Sequence, residues 1–221
     1  MQILFEDYYV LAVNKPAGLS SESGKDRHPS AEREALAYFT RRLQEESASK
    51  RLKPEPYLRP VHRLDRAASG ILVFAKTKAA LANLMEQFEK RTVEKVYRAI
   101  VESRPPADAG TLSHWLKKDP EGRKALVSEN ESRESRFCQL EYKVLEMKDK
   151  RYLLELKPYT GRFHQIRAQL AFIGCPIHGD VLYGGEFWQE NQIKLHAFRL
   201  ICKHPKTGEP LELEVPPPEG W

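Results

Sequence analysis

RPVHRLDRAASGILVFAKT, Arg59 to Thr77, puts the carboxylate of Asp65 between basic residues and directly ahead of the run Ile71-Leu72-Val73-Phe74-Ala75. An apolar run without alternation reads as a strand buried on both faces, since a half-exposed strand alternates. A solvated charge cluster rarely abuts such a strand, so the segment reads as a site anchored on a rigid element. The residues alone leave a second reading open, a surface loop with an incidental ion pair.

On the N-terminal side, Ile3 to Phe5 and Tyr8 to Val13 read as a strand pair broken at Glu6-Asp7, and Lys15-Pro16-Ala17-Gly18 has turn chemistry. Ser20 to Pro29 reads as a mobile loop. From Ser30, the spacing of Leu36, Phe39 and Leu43 predicts an amphipathic helix that fades at Glu46-Ser47. Ser47 to Pro60 mixes Lys50, Arg51, Lys53 and Arg59 with three prolines, which suits either a phosphate-contacting approach to Asp65 or a plain connector.

After the apolar run, Leu81, Leu84, Met85 and Phe88 predict a helix from Lys78 to Lys90 with all four in the core. Thr92 to Val101 reads as a strand with Val93, Lys95, Tyr97 and Ala99 on one face. Phe137 to Leu145 and Tyr152 to Leu156 read as an antiparallel pair around Lys148-Asp149-Lys150. A helix is expected from Thr160 or Gly161 to about Ile173, then a structured glycine-rich loop from Gly174 to Gly185. Lys194 to Cys202 and Leu211 to Val215 close the chain as a hairpin.

The chain of 221 residues is long enough to bury a full core in one α+β domain. Its 36 Lys and Arg against 31 Asp and Glu leave a formal charge of +5, which favours a polyanionic partner without requiring one. Three dispersed cysteines, acids near the N-terminus and no apolar stretch of bilayer length predict a reduced, cytoplasmic protein.

If a helix starts near Gly161, Phe163, Ile166, Arg167 and Leu170 share one face, which sets an arginine on the apolar side. A buried guanidinium needs a carboxylate partner; the alternative is a packed stem whose head reaches water. Taken alone, Tyr97 reads as a core tyrosine with its hydroxyl satisfied. His62, His164 and His178, even with Asp65 and Asp180, lack metal-ligand spacing, so no metal is expected. The Gly174 to Gly185 loop lacks the Gly-Lys-Ser/Thr of a phosphate loop. His62-Arg63-Leu64-Asp65 faintly echoes a kinase catalytic loop, but no glycine-rich strand-turn-strand precedes it and no Asp-Phe-Gly follows.

His62-Arg63-Leu64-Asp65-Arg66-Ala67-Ala68-Ser69-Gly70 resembles the central motif of the RluA family of pseudouridine synthases, with Ala68 where that pattern has Thr. Leu156-Lys157-Pro158-Tyr159-Thr160-Gly161-Arg162-Phe163-His164-Gln165-Ile166-Arg167 resembles a second block, continued by Gly174-Cys175-Pro176-Ile177-His178-Gly179-Asp180 to Tyr183-Gly184. Lys95 to Val101 resembles the family's Tyr-bearing strand, and Asn14-Lys15-Pro16-Ala17-Gly18-Leu19 its first turn. The resemblance runs in order along nearly the whole chain, in the form without an extra N-terminal RNA-binding domain.

The resemblance implies one catalytic domain over residues 1–221, with a mixed, largely antiparallel sheet flanked by helices and a central cleft. It implies isomerisation of uridine to pseudouridine in structured RNA, ribosomal or transfer, by base flipping and without metal or organic cofactor. Asp65, Tyr97 and Arg167 become the catalytic residues, with Arg167 paired to Asp65, which keeps a carboxylate ionised. Tyr97 stacks on the target base, Ile166 walls the base pocket and Arg63 enters the RNA as the nucleotide leaves. His62 and Arg162 join the substrate-binding residues, while His62 and His164 also hold structure and Gly179-Asp180 anchors the loop beneath. A monomer is expected, because nothing resembles a coiled-coil seam. A catalytically idle RNA-binding or RNA-chaperone protein of the same fold is the competing expectation.

Overall fold

The computed structural model describes residues 1–24, 29–46, 56–121 and 123–221, so Lys50, Arg51 and Lys53 of the expected basic approach lie outside the described residues. The chain divides into two compact units. Unit 1 is Met1–Val93 with Arg199–Pro216, and unit 2 is Glu94–Phe198 with Pro217–Trp221.

Unit 1 opens with β1 (Gln2–Glu6) and β2 (Val10–Lys15), paired antiparallel. Asp7 makes the turn by accepting the backbone N–H groups of Tyr9 and Val10 at 2.8 and 2.7 Å, the local bond that suits Asp to turns. Ser20 and Ser30 form a short parallel bridge, and Glu32 accepts from Ser23 N at 3.0 Å, so the start of the expected mobile loop is tied down. α1 (Ala31–Glu46) begins where the spacing placed it, with Glu32 and Glu34 at its positive end.

β3 (Arg59–Pro60) and β4 (Ser69–Ala75) follow, with β4 set between β2 and β3. Every residue of β4 is buried. Ile71, Val73 and Ala75 point into one cluster, while Leu72 and Phe74 point into another that includes Phe39 and Ala35 of α1. Two covered faces are why the alternation is missing from the sequence. α2 (Lys78–Glu89) is capped by Thr77, whose side chain accepts from Ala80 N at 3.1 Å. Leu84 is fully buried and Leu81 and Phe88 pack against the first cluster, but Met85 is 52% exposed. Met85 sits at the edge of the apolar stripe, where a helix turns its side chain to water.

In unit 2, β5 (Glu94–Val101), β6 (Ala109–Lys118), β7 (Ala125–Ser128), β8 (Arg136–Lys148) and β9 (Arg151–Pro158) pair antiparallel in the order β5-β9-β8-β6-β7. Asp149 and Lys150 link β8 to β9 with φ of 51° and 62°, the two positive values that a tight hairpin turn demands. α3 (Gln165–Phe172) begins at least four residues later than the sequence suggests, and β10 (Leu195–Lys203) runs from unit 2 into unit 1, where β11 (Pro210–Glu214) pairs with it. The expected α+β class and largely antiparallel pairing are what the chain adopts. No helix among the described residues is long and apolar enough to cross a membrane. Cys138, Cys175 and Cys202 are free and buried, and burial pushes the Cys138 and Cys202 thiols up to about 11.

Candidate active site

In unit 1, the loop between β3 and β4 carries His62, Arg63 and Asp65, and a buried lysine holds it. Lys15 ends β2 with 0% exposure, and its Nζ donates to the carbonyl oxygens of Ala68 (2.6 Å), Leu19 (2.8 Å), Pro16 (2.9 Å) and Arg66 (3.3 Å). An ammonium has three protons, so the long contact to Arg66 shares one of them. Burial pushes Lys15 down to about 7, and the carboxylate of Asp65 opposes that shift.

Further bonds tie the first turn to the same loop. Gly18 N donates to Arg66 O at 2.8 Å, and Arg66 Nε returns to Gly18 O at 2.9 Å. Ser21 Oγ accepts from Leu64 N at 2.9 Å and donates to Leu64 O at 2.8 Å, bracketing the residue before Asp65. Asp65 O accepts from Ala68 N at 3.1 Å, closing a turn that leaves Asp65 half-buried. His62 stacks on Phe88 at 4.9 Å, and its Nε2 accepts from Val73 N at 3.2 Å, a structural contact to β4. Arg63 has a side chain 71% exposed, 3.7 Å from Glu22.

In unit 2, Tyr97 is half-buried on β5, opposite Leu156 of β9. The stretch before α3 is held out of the helix by Gln165, whose Oε1 accepts from Thr160 Oγ1 at 2.7 Å and from Arg162 N at 3.0 Å. Thr160 Oγ1 in turn accepts from Gln139 N at 3.0 Å. His164 then takes a left-handed φ of 52° and its ring stacks on Phe163 at 3.8 Å. These bonds outcompete the helical start at Gly161. Phe163 therefore leaves the expected helical face and stands 36% exposed, while Ile166, Arg167 and Leu170 are buried. Arg162 donates from Nε to Phe137 O at 3.2 Å.

Arg167 reaches Asp180 with two parallel bonds, Nε to Oδ2 at 2.7 Å and Nη2 to Oδ1 at 2.8 Å. This is the bidentate geometry that compensates burial of both charges. The guanidinium also lies 5.1 Å from the centroid of Tyr183, whose hydroxyl accepts from Ala125 N at 2.6 Å and bonds His164 Nδ1 at 3.1 Å. A Cβ on Gly179, at φ +91°, would meet Gln192 O at 2.7 Å, so the chain into Asp180 admits only glycine there.

Glu102, His178 and Glu186 bring donor atoms within 4.8 Å of one another. Glu102 Oε1 already takes His178 Nδ1 at 3.0 Å and Glu186 N at 2.7 Å, and Glu186 pairs with Arg151 at 3.2 Å, so the group reads as a hydrogen-bonded bracket. Lys15, Ser21 and Gln165 are the supporting residues that the sequence reading did not single out. The signal for Lys15 was a lysine at the end of the apolar run Val10-Leu11-Ala12-Val13.

The profile of the family described as RNA pseudouridylate synthase matches residues 9–172, a span that includes parts of both units. The chain is 36% identical over 222 residues to the dual-specificity RNA pseudouridine synthase RluA of Vibrio vulnificus, covering 97% of this chain and 82% of that protein. It is 33% identical over 224 residues to the ribosomal large subunit pseudouridine synthase C of Pasteurella multocida, covering 97% of this chain and 64% of that protein. The solved structure of human RNA pseudouridylate synthase domain containing 4 matches with a TM-score of 0.75 at 26% identity, over 99% of this chain and 89% of that one. The chain belongs to the RNA pseudouridylate synthase family, a family of isomerases.

Proposed function

We propose that this chain isomerises specific uridines to pseudouridine in structured RNA, with residues 1–221 working as one catalytic domain. The observation that carries this reading is the Asp65 loop. A half-buried aspartate, flanked by exposed arginines, sits in a loop that a buried ammonium and a serine bracket tie down ahead of a strand buried at every residue. Such support suits a group that must meet a reacting atom. In the reaction the bond between uracil N1 and the ribose breaks, the base turns, and C5 joins the sugar while its proton is lost and N1 gains one. Asp65 supplies the essential carboxylate. Tyr97 stacks on the base and assists removal of the C5 proton. Arg167 pairs with Asp65 and keeps its carboxylate ionised, and Ile166 walls the base pocket.

Arg63, exposed as it is, enters the RNA as the target nucleotide flips out, and His62 and Arg162 bind the substrate around it. The substrate is ribosomal or transfer RNA, and the name of the ribosomal large subunit relative supports the first of these. The chain works in the cytoplasm as a monomer, without metal or organic cofactor. The test is a pseudouridine map of total RNA from a parent strain, a deletion strain, and the deletion strain expressing Asp65→Ala. Defined sites should vanish on deletion and stay absent with Asp65→Ala, while the purified variant keeps its RNA affinity. Sites restored by Asp65→Ala would sink the catalytic assignment and favour an RNA-binding role.

A further inference from the structure

Unit 2 contains a cavity of about 460 Å³ that none of the roles above uses. The indoles of Trp188 and Trp221 stand in its wall, backed by Ile100 and Leu153. Three cations reach it, Lys148, Arg151 and Lys194. The acids that also reach it, Glu146 and Asp149, are exposed to solvent.

Lys194 is 6% exposed, and its Nζ donates to Gly220 O at 2.9 Å and sits 4.1 Å from the centroid of the Trp188 ring. A buried ammonium ordinarily has a carboxylate beside it. Among the described residues none lies at ion-pair distance from Lys194, and its charged neighbour is a second cation, Arg151. Burial first, and then Arg151, lower the pKa of Lys194. Arg151 pairs with the exposed Glu186 at 3.2 Å. Two cations lining one cavity beside indole walls suit an anion with a flat apolar part.

We propose that this cavity binds one nucleotide, its base against the indoles of Trp188 and Trp221 and its phosphate between Lys194 and Arg151. The volume falls within the range of about 300–1,000 Å³ that small-molecule sites occupy. Cations interleaved with aromatic rings are also how proteins hold single-stranded nucleic acid. The choice of a nucleotide over other aromatic anions rests on the proposed action on RNA. The nucleotide comes either free from solution or from an RNA strand, and the chemistry of recognition is the same.

The experiment titrates the full chain with uridine 5′-monophosphate and, separately, with a single-stranded eight-residue oligouridylate, reading tryptophan fluorescence. Wild type is compared with Arg151→Met, Trp188→Leu and Asp65→Ala, each first checked for native circular dichroism. A loss of at least tenfold in affinity for the mononucleotide in Arg151→Met and Trp188→Leu establishes a free-nucleotide site. The same loss confined to the oligonucleotide establishes a strand-binding site. The proposal is overturned if wild type binds neither probe, or if both variants bind both probes as wild type does. Asp65→Ala should bind like wild type. Probe binding that depends on Arg151 in a chain that isomerises no uridine would remove the proposed function and leave the cavity assignment standing.

Discussion

The Asp65 loop and the Arg167 helix are each built around a buried cation, and they satisfy it in opposite ways. Arg167 meets a carboxylate, Asp180, in a bidentate pair that is neutral as a unit. Lys15 donates to carbonyl oxygens, and the nearby Asp65, whose charge it feels, is half-exposed. One arrangement consumes its acid in holding structure. The other holds its loop with uncharged acceptors. Asp180 is 1% exposed and locked, so of the two it is the poorer candidate for meeting a substrate.

The contrast should show in stability. Arg167→Met strands the Asp180 carboxylate in the interior and should cost about 3–5 kcal/mol in denaturant unfolding. A loss below about 1 kcal/mol would mean that water reaches Asp180 and that the pair is not the anchor described. Lys15→Met removes a donor from the carbonyl oxygens but also relieves burial of a charge, so a smaller loss of about 1–3 kcal/mol is expected.

The two cations should also differ in their response to pH. Folded Lys15 releases its proton at about 7, against 10.5 for an ordinary lysine. Between those values the unfolded chain binds the extra proton, so the Lys15 contribution to stability rises with pH across that window and is flat below it. The stability of wild type minus that of Lys15→Met, measured from pH 6 to about 10.5, should therefore climb. A flat difference would mean that the ammonium stays charged in the fold. Asp65→Asn deletes the charge that opposes the shift, so the titration of Lys15, followed by NMR of carbon-labelled lysine, should move further down. If it does not move, the carboxylate and the ammonium are electrostatically separate. The smallest effects belong to the hydroxyl brackets, Ser21→Ala beside Leu64 and Thr160→Val beside Gln165. Each should lower stability by about 1 kcal/mol, with additive losses in the double variant, because the two brackets share no partner.

Much of this was legible in the chain. β4, α1 and α2 were visible because both faces of a strand, or one stripe of a helix, are filled by apolar side chains. The strands β6 and β7 were missed. The inward row of β6 is Leu112, His114 and Leu116, and a histidine in the core position broke the pattern. His114 is tolerated there because Gln169 Nε2 lies 3.1 Å from its Nδ1, a contact made across 55 residues of sequence. The late start of α3 was hidden for a similar reason. Gln165 folds back onto Thr160 and Arg162, and propensity over Gly161 to His164 carries no trace of that side-chain bond. At the candidate site, Asp65, Tyr97 and Arg167 were named through motif resemblance, whereas the role of Lys15 emerged only with the four carbonyls that surround it.

The discontinuity of unit 1 sets a timetable for the growing chain. Leu200, Cys202, Leu211, Leu213 and Val215 pack in the same cluster as Val10, Ile71 and Leu84, although the whole Glu94–Phe198 stretch of unit 2 is translated between them. At a translation rate of about 5–20 residues per second, those roughly 100 residues keep the first 93 waiting on the order of 5–20 s for the rest of their core. During that interval the face of β2 and β4 has α2 against it but lacks the side chains of β10 and β11, and this incomplete core is the form that chaperones would hold.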